Sequence, residues 1–277
     1  MSTLQMFAET GAIGDTAIAL CRAFAAMVAM KHVDAVIHTA KTFKFGKDPE
    51  IRECPFNPNV ITILENCSFV KEIVFDCDYK KPNSLQYSEK YNCKIEQPTY
   101  GCDFVDIRRF VSLYSFVPDD YGLEGKIAVF QPISLRSKPK KQIDSYIAIW
   151  NESIKALIDV GYKIVMIGGK DDPYQVTFNA KYEDYIINKC GKWTILQSLA
   201  YLLYRADIVL SCDSWAAWWG IASRLPTLVA WGHRMQNKTD LWLLDFLGNK
   251  DCYKYGWASN KENCDKFLAE YIGKMKD

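Results

Sequence analysis

The sequence predicts an α/β protein of two doubly wound domains, and three observations lead there. Short apolar runs of buried-strand length alternate with helix-period segments on both sides of residue 121. Two of these runs pass into a helix through a few residues: Thr3–Ala8 by way of Gly11 to Thr16, and Asp207–Cys212 by way of Asp213-Ser214. The chain has 277 residues, 49% apolar and 14% aromatic, which suits one large or two modest cores. The turn-rich stretch Val117–Gly125 is the expected boundary, giving domains 1–121 and 122–277, with the last helix free to pack back on the first.

In chain order, Thr3–Ala8 reads as the first strand. Gly11 and Gly14 flank a tight turn, and Asp15-Thr16 opens an apolar helix from Ala17 to Met30. Val33–Thr39 is the second strand, residues 40–58 a polar loop, Val60–Leu64 a short helical turn and Val70–Phe75 a strand ending at Asp76. Residues 77–104 show no period and read as an insertion or substrate loop. Ile107–Phe116 reads as a helix.

The second series opens with the strand Lys126–Pro132 and a basic loop, Ser134 to Lys141. A helix over Ile143–Val160 stops at Gly161. The strand Tyr162–Ile167 is closed by Gly168-Gly169, and Asn179–Ile187 reads as a short helix. Leu196, Leu199, Ala200, Leu203 and Tyr204 carry the spacing of an amphipathic helix. Asp207–Cys212 is a buried strand, Asp213-Ser214 can cap the helix Ala216–Ser223, Pro226 stops it, and Thr227–Trp231 is the last strand. Ser259 caps a final helix.

A strand end that turns directly into a helix aims backbone N–H groups at the crevice where open α/β sheets bind ligands, and a helix N-terminus favours anions. Asp213-Ser214 is therefore the first candidate site. The ten cysteines form no CxxC pair, and three histidines (His32, His38, His233) do not suggest a metal centre. Scattered thiols, the lack of a signal-like N-terminus and the lack of a bilayer-length apolar run point to a cytoplasmic protein (host cytoplasm if virus-encoded). The net charge of +1 makes a large nucleic-acid footprint a weak expectation.

Three separated patterns then coincide. Gly11-Ala12-Ile13-Gly14-Asp15-Thr16 precedes an Ala-rich helix. Ala128-Val129-Phe130-Gln131-Pro132, with Arg136 and Lys138-Pro139, precedes Gly161 to Gly169. Leu199 to Leu203 and Ala206-Asp207 precede Asp213-Ser214, and Leu225-Pro226-Thr227 follows. As an ordered set over most of the chain, these resemble the heptosyltransferases of glycosyltransferase family nine. The sequence departs from that family at two places: Trp215 stands where it has a glycine after Asp-Ser/Thr, and Trp218 where it has a histidine.

The resemblance implies a GT-B architecture, two Rossmann-like domains facing a cleft with the nucleotide-sugar on the C-terminal one. It implies inverting, metal-independent transfer of a sugar from a nucleotide-diphosphate donor to a hydroxyl, with no cofactor. By that likeness Asp15 is the general base, Arg136 and Lys138 neutralise the leaving diphosphate, and Asp213-Ser214 lie by the phosphates. Asp171 or Asp172, just after Gly168-Gly169, would hold the ribose, and Thr194 would run beside the base. Gly14, Thr16, Trp215, Trp218 and His233 are possible cleft lining. Each has a plainer reading: Asp15 as a helix cap, Arg136 and Lys138 as a solvated basic loop, Asp171 and Asp172 as a turn before Pro173, and the tryptophans as packing between sheet and helix. The acceptor is open between a saccharide, a lipid-linked sugar and a hydroxymethylated DNA base. A catalytically silent nucleotide-binding protein and a nucleotide-sugar epimerase are the rival functions, and the oligomeric state is undetermined.

Overall fold

The computed structural model describes residues 3–7, 13–40, 42–44, 53–55, 57–77, 105–119, 123–132, 143–170, 180–212 and 214–230, together with Ala269, Glu270 and Gly273. The chain divides into two compact units, Met1–Ser112 and Leu113–Asp277, so the division falls ahead of the turn-rich connector. Leu113 belongs with the second unit because its amide donates to the Tyr204 hydroxyl (2.9 Å) and Tyr114 stacks edge-on against the Tyr204 ring (5.5 Å).

The first unit is a three-stranded parallel sheet of order β1-β2-β5, from β1 (Thr3–Phe7), β2 (Asp34–Ala40) and β5 (Val70–Cys77). Helix α1 (Ile13–Met30) starts ahead of the expected Ala17, so Gly14, Asp15 and Thr16 lie in its first turn and not in a loop. Its Ala17, Leu20, Cys21 and Ala25 are buried. Helix α2 (Pro58–Glu65) begins with proline at its first position and Asn57 as cap, whose side chain accepts from the Asn59 amide (3.0 Å). Phe24, Phe69 and Phe110 close one side, with ring centroids 4.6 to 5.8 Å apart. Two expectations are corrected here. The stretch 40–58 is not all loop: β3 (Thr42–Lys44) and β4 (Glu53–Pro55) pair antiparallel. Ile107–Phe116 is not one helix but two short 3-10 turns, Ile107–Arg109 and Tyr114–Phe116. Between them Val111 bridges to Cys67 and the Ser112 amide donates to Asn66 C=O (2.9 Å), which holds the backbone extended.

The second unit is a five-stranded, wholly parallel sheet of order β10-β9-β6-β7-β8. Its strands are β6 (Lys126–Gln131), β7 (Tyr162–Met166), β8 (Ile186–Asn188), β9 (Ile208–Cys212) and β10 (Thr227–Ala230). β9 is buried at every position and β6 at all but its first, the continuous apolar reading of a sheet covered on both faces. Helix α3 (Ile143–Asp159) lays Trp150, Ile154 and Leu157 on it, and Trp150 meets Phe130 edge-on at 5.3 Å. The Trp150 indole N–H also donates to Pro132 C=O (3.3 Å), tying the end of β6 to that helix. The segment 179–187, expected as a helix, is instead a 3-10 turn (Ala180–Tyr185) followed by β8, because Ile186 and Ile187 find a free edge on β7.

Helix α4 (Ile195–Arg205) buries Leu196, Leu199, Ala200 and Leu203 as its spacing predicts. A capping box opens it: the Thr194 hydroxyl accepts from the Gln197 amide (3.2 Å) and the Gln197 side chain accepts from the Thr194 amide (2.8 Å). Helix α5 (Trp215–Ala222) is buried from Ala216 onward. It lies close on the sheet because residue 220 is glycine: a Cβ there would stand 2.7 Å from Thr227 Oγ1 and 3.1 Å from Val209 Cγ2. Asp207 clamps the far end of the sheet, its carboxylate accepting from the Ile127 amide (2.7 Å) while its own amide donates to Ile127 C=O (2.9 Å).

Candidate functional site

The strand order decides where the second unit binds. From β6 the chain winds outward through β7 to β8, then returns to β9 on the other side of β6 and continues to β10. The winding direction reverses between β6 and β9, and a doubly wound sheet opens its crevice beyond the carboxyl ends of the two strands at that reversal. Those ends are Gln131-Pro132 on β6 and Cys212 on β9, with Ser214 opening α5.

Three polar side chains meet there. The Ser214 hydroxyl donates to the Gln131 amide oxygen in a short contact, the Ser211 and Ser214 hydroxyls lie 3.3 Å apart, and the Ser211 hydroxyl donates to Cys212 C=O (2.8 Å). Gln131 and Ser211 are buried, Ser214 half-buried. Ser214 holds the expected cap position of α5 in extended backbone, but its side chain makes no cap bond. Its proton goes to the Gln131 oxygen.

The other candidates distribute as follows. Gly168 and Gly169 follow β7, and the Gly191 amide donates to Gly168 C=O (3.0 Å). Gly191 has φ +65°, and a Cβ there would meet Lys170 Cα at 2.7 Å, so the turn after β8 and the loop after β7 are held together only because residue 191 is glycine. Thr194, just beyond, spends its hydroxyl on the capping box. Trp215 is half-buried, while Trp218 and Trp219 are buried in an α5 that contacts β9, β10 and α4; Trp218 is 9% exposed, so it packs in the unit. In the first unit, Gly14 is half-buried and Thr16 buried. The backbone of Asp15 lies in the first turn of α1, where a carboxylate suits the helix dipole. Arg136, Lys138, Asp171, Asp172, Asp213 and His233 lie outside the described residues.

Sequence reasoning quoted Gln131 inside a motif but gave it no role; a primary amide ending an otherwise apolar strand was the available signal. In the first unit the buried His38 and the half-buried Gln5 make a structural contact, their Nε2 and Oε1 2.7 Å apart. An open groove of about 290 Å³ lies between Glu65–Ser68 and Arg108–Ser112, but its Arg108 is already paired with Asp106 at 2.7 Å. Among the described residues no group of three His, Cys, Asp or Glu could hold a metal ion, and no helix is long and apolar enough to cross a membrane.

No family model matches the sequence, and no curated protein does. Solved structures do match. The E. coli heptosyltransferase WaaC with ADP aligns with a TM-score of 0.58 at 11% identity, covering 99% of each chain. A glycosyl transferase of family 9 from Veillonella parvula gives 0.57 at 11% identity, over 97% of each. E. coli ADP-heptose lipopolysaccharide heptosyltransferase II gives 0.51 at 12%, over 98% of this chain and all of that one. The chain has the fold of these family-nine glycosyltransferases, the GT-B plan built from two parallel-sheet units.

Proposed function

We propose that this protein is a glycosyltransferase that moves a sugar from a nucleotide-diphosphate donor to a hydroxyl acceptor, with inversion and without a metal. The observation that carries the reading is the polar cluster of Gln131, Ser211 and Ser214 at the strand reversal of the second unit. It is supported by the fold, which a heptosyltransferase with ADP shares.

In this reading the acceptor oxygen attacks the anomeric carbon as the bond to the diphosphate breaks. Asp15 takes the acceptor proton, and the negative charge gathers on the departing diphosphate. Arg136 and Lys138 neutralise that charge, with Asp213 and Ser214 at the start of α5 beside it. Gly168 and Gly169 line the donor site, Asp171 or Asp172 takes the ribose, and the Gly191–Thr194 turn lies beside the base. The acceptor is a saccharide, a lipid-linked sugar or a hydroxymethylated DNA base.

Release of nucleoside diphosphate across a panel of donors and acceptors tests the reaction. Asp15→Asn should lower turnover by about 10²–10⁴-fold, the usual contribution of a general base, with donor affinity retained. No turnover and no thermal stabilisation by any nucleotide-sugar would sink the proposal. Gel shifts with hydroxymethylated DNA at two salt concentrations separate the acceptor classes, because a DNA complex weakens steeply with salt. One observation favours a second reading, a binding protein without transfer: Trp215 is half-buried at the first position of α5, next to Ser214. Calorimetric nucleotide binding with no product from any acceptor would select it.

A further inference from the structure

We propose that Gln131 is a positioning residue that makes Ser214 a hydrogen-bond acceptor for a hydroxyl of the transferred sugar. This rests on the donor-binding reading above and goes beyond it by giving the Ser214 hydroxyl, within the strand reversal, a preference for the sugar over the phosphates.

The assignment follows from counting protons. A serine hydroxyl has one proton and two lone pairs. Ser211 gives its proton to Cys212 C=O at 2.8 Å, so its 3.3 Å contact with Ser214 brings no proton there. Ser214 gives its own proton to the Gln131 amide oxygen. Gln131 is only 3% exposed, and a buried amide oxygen stripped of its partner is costly, so the proton stays where it is. The lone pairs of Ser214 are not spent on α5 either, since its side chain makes no cap bond. The half-buried oxygen is left with acceptor capacity only. At the Ser214 hydroxyl itself a phosphate oxygen finds no proton and must take its donors from the first amides of α5, whereas a sugar hydroxyl brings the proton that fits. With the nucleoside assigned to the β7–β8 side, the reversal between β6 and β9 receives the diphosphate-sugar end of the donor.

The test is calorimetry on the full chain with two probe pairs, ADP with ADP-glucose and UDP with UDP-glucose, read as the ratio of sugar-conjugate to diphosphate affinity. Gln131→Met frees the Ser214 proton for phosphate: the ratio should fall about tenfold, with diphosphate affinity unchanged or higher. Ser214→Ala should lower the ratio similarly. Gln131→Glu still accepts the Ser214 proton but adds negative charge, so both affinities should fall together and the ratio should hold. A merely structural role for Gln131 would weaken both probes equally in Gln131→Met and is not rescued by glutamate. Equal weakening, or an unchanged ratio in folded Gln131→Met, overturns the proposal; if that variant does not fold, an unchanged ratio in Ser214→Ala or a lost ratio in Gln131→Glu does so. Wild-type protein that binds neither these four probes nor any other nucleotide-sugar removes the donor reading itself, and this assignment with it.

Discussion

Replacing Gly220 with alanine asks whether the helix behind the candidate site is held by shape. In a helix interior, alanine is worth about 1 kcal/mol over glycine. Against that, the new Cβ would stand 2.7 Å from Thr227 Oγ1 and 3.1 and 3.2 Å from two carbons of Val209. The nearest atom cannot swing aside cheaply, because Thr227 Oγ1 donates to Leu225 C=O at 2.9 Å and is buried. Overpacking of this kind costs about 1–3 kcal/mol. Subtracting the propensity gain leaves Gly220→Ala less stable by about 0–2 kcal/mol, at most roughly 8 °C in Tm for a unit of this size. Denaturant unfolding followed by tryptophan fluorescence reads it directly, since Trp218 and Trp219 sit on the same helix. The control is Thr227→Ala: in that background the penalty should shrink by at least half, because the closest contact has gone. An alanine variant more stable than the wild type, showing only the propensity gain, refutes the argument that close approach is why residue 220 is glycine.

Thr194→Ala should cost about 1 kcal/mol through loss of the capping box, and Thr194→Ser should recover most of it; urea midpoints at constant slope decide. Burial pushes the Cys67 thiol from 9.0 up to about 12. Iodoacetamide at pH 8.5 should therefore leave Cys67 unmodified in folded protein and alkylate it in urea, as peptide mass spectrometry would show; labelling at equal rates contradicts that burial. The same shift has a sign for stability. The fold prefers the neutral thiol, so this contribution is fully present below pH 9 and is lost between pH 9 and about 12, as the unfolded chain ionises first.

Legibility in the sequence followed the strength of local signals. The run from Ile195 to Ala230 reads closely, because amphipathic spacing, a buried strand and Pro226 all speak within it, while the capping box at Thr194 came only with the structure. β8 was missed because three residues carry no period, and only the free edge of β7 makes Ile186-Ile187 a strand. The extended break at Val111–Ser112 was missed for the same kind of reason, since its partners Cys67 and Asn66 are remote in sequence. At the site, the place of Ser214 between the end of β9 and the start of α5 was legible. The fate of the Ser214 proton was not, because its acceptor is 83 positions away. Between the two sequence readings of the α5 tryptophans, cleft lining or packing between sheet and helix, burial favours packing for Trp218 and Trp219.

The Ile127–Asp207 clamp has a consequence for how the protein is made. It joins residues 80 positions apart, and β6 can pair with β9 only after the intervening β7, β8 and α4 have been synthesised. Closing so long a loop is slow compared with forming a helix, and the chain emerges N-terminus first. A nascent chain that ends at Arg205 holds β6, β7, β8 and α4 but neither β9 nor Ser214, so the crevice does not yet exist. Ligand protection in a truncation series would thus time the closing of the sheet, appearing only once Ser214 and the strand behind it are present.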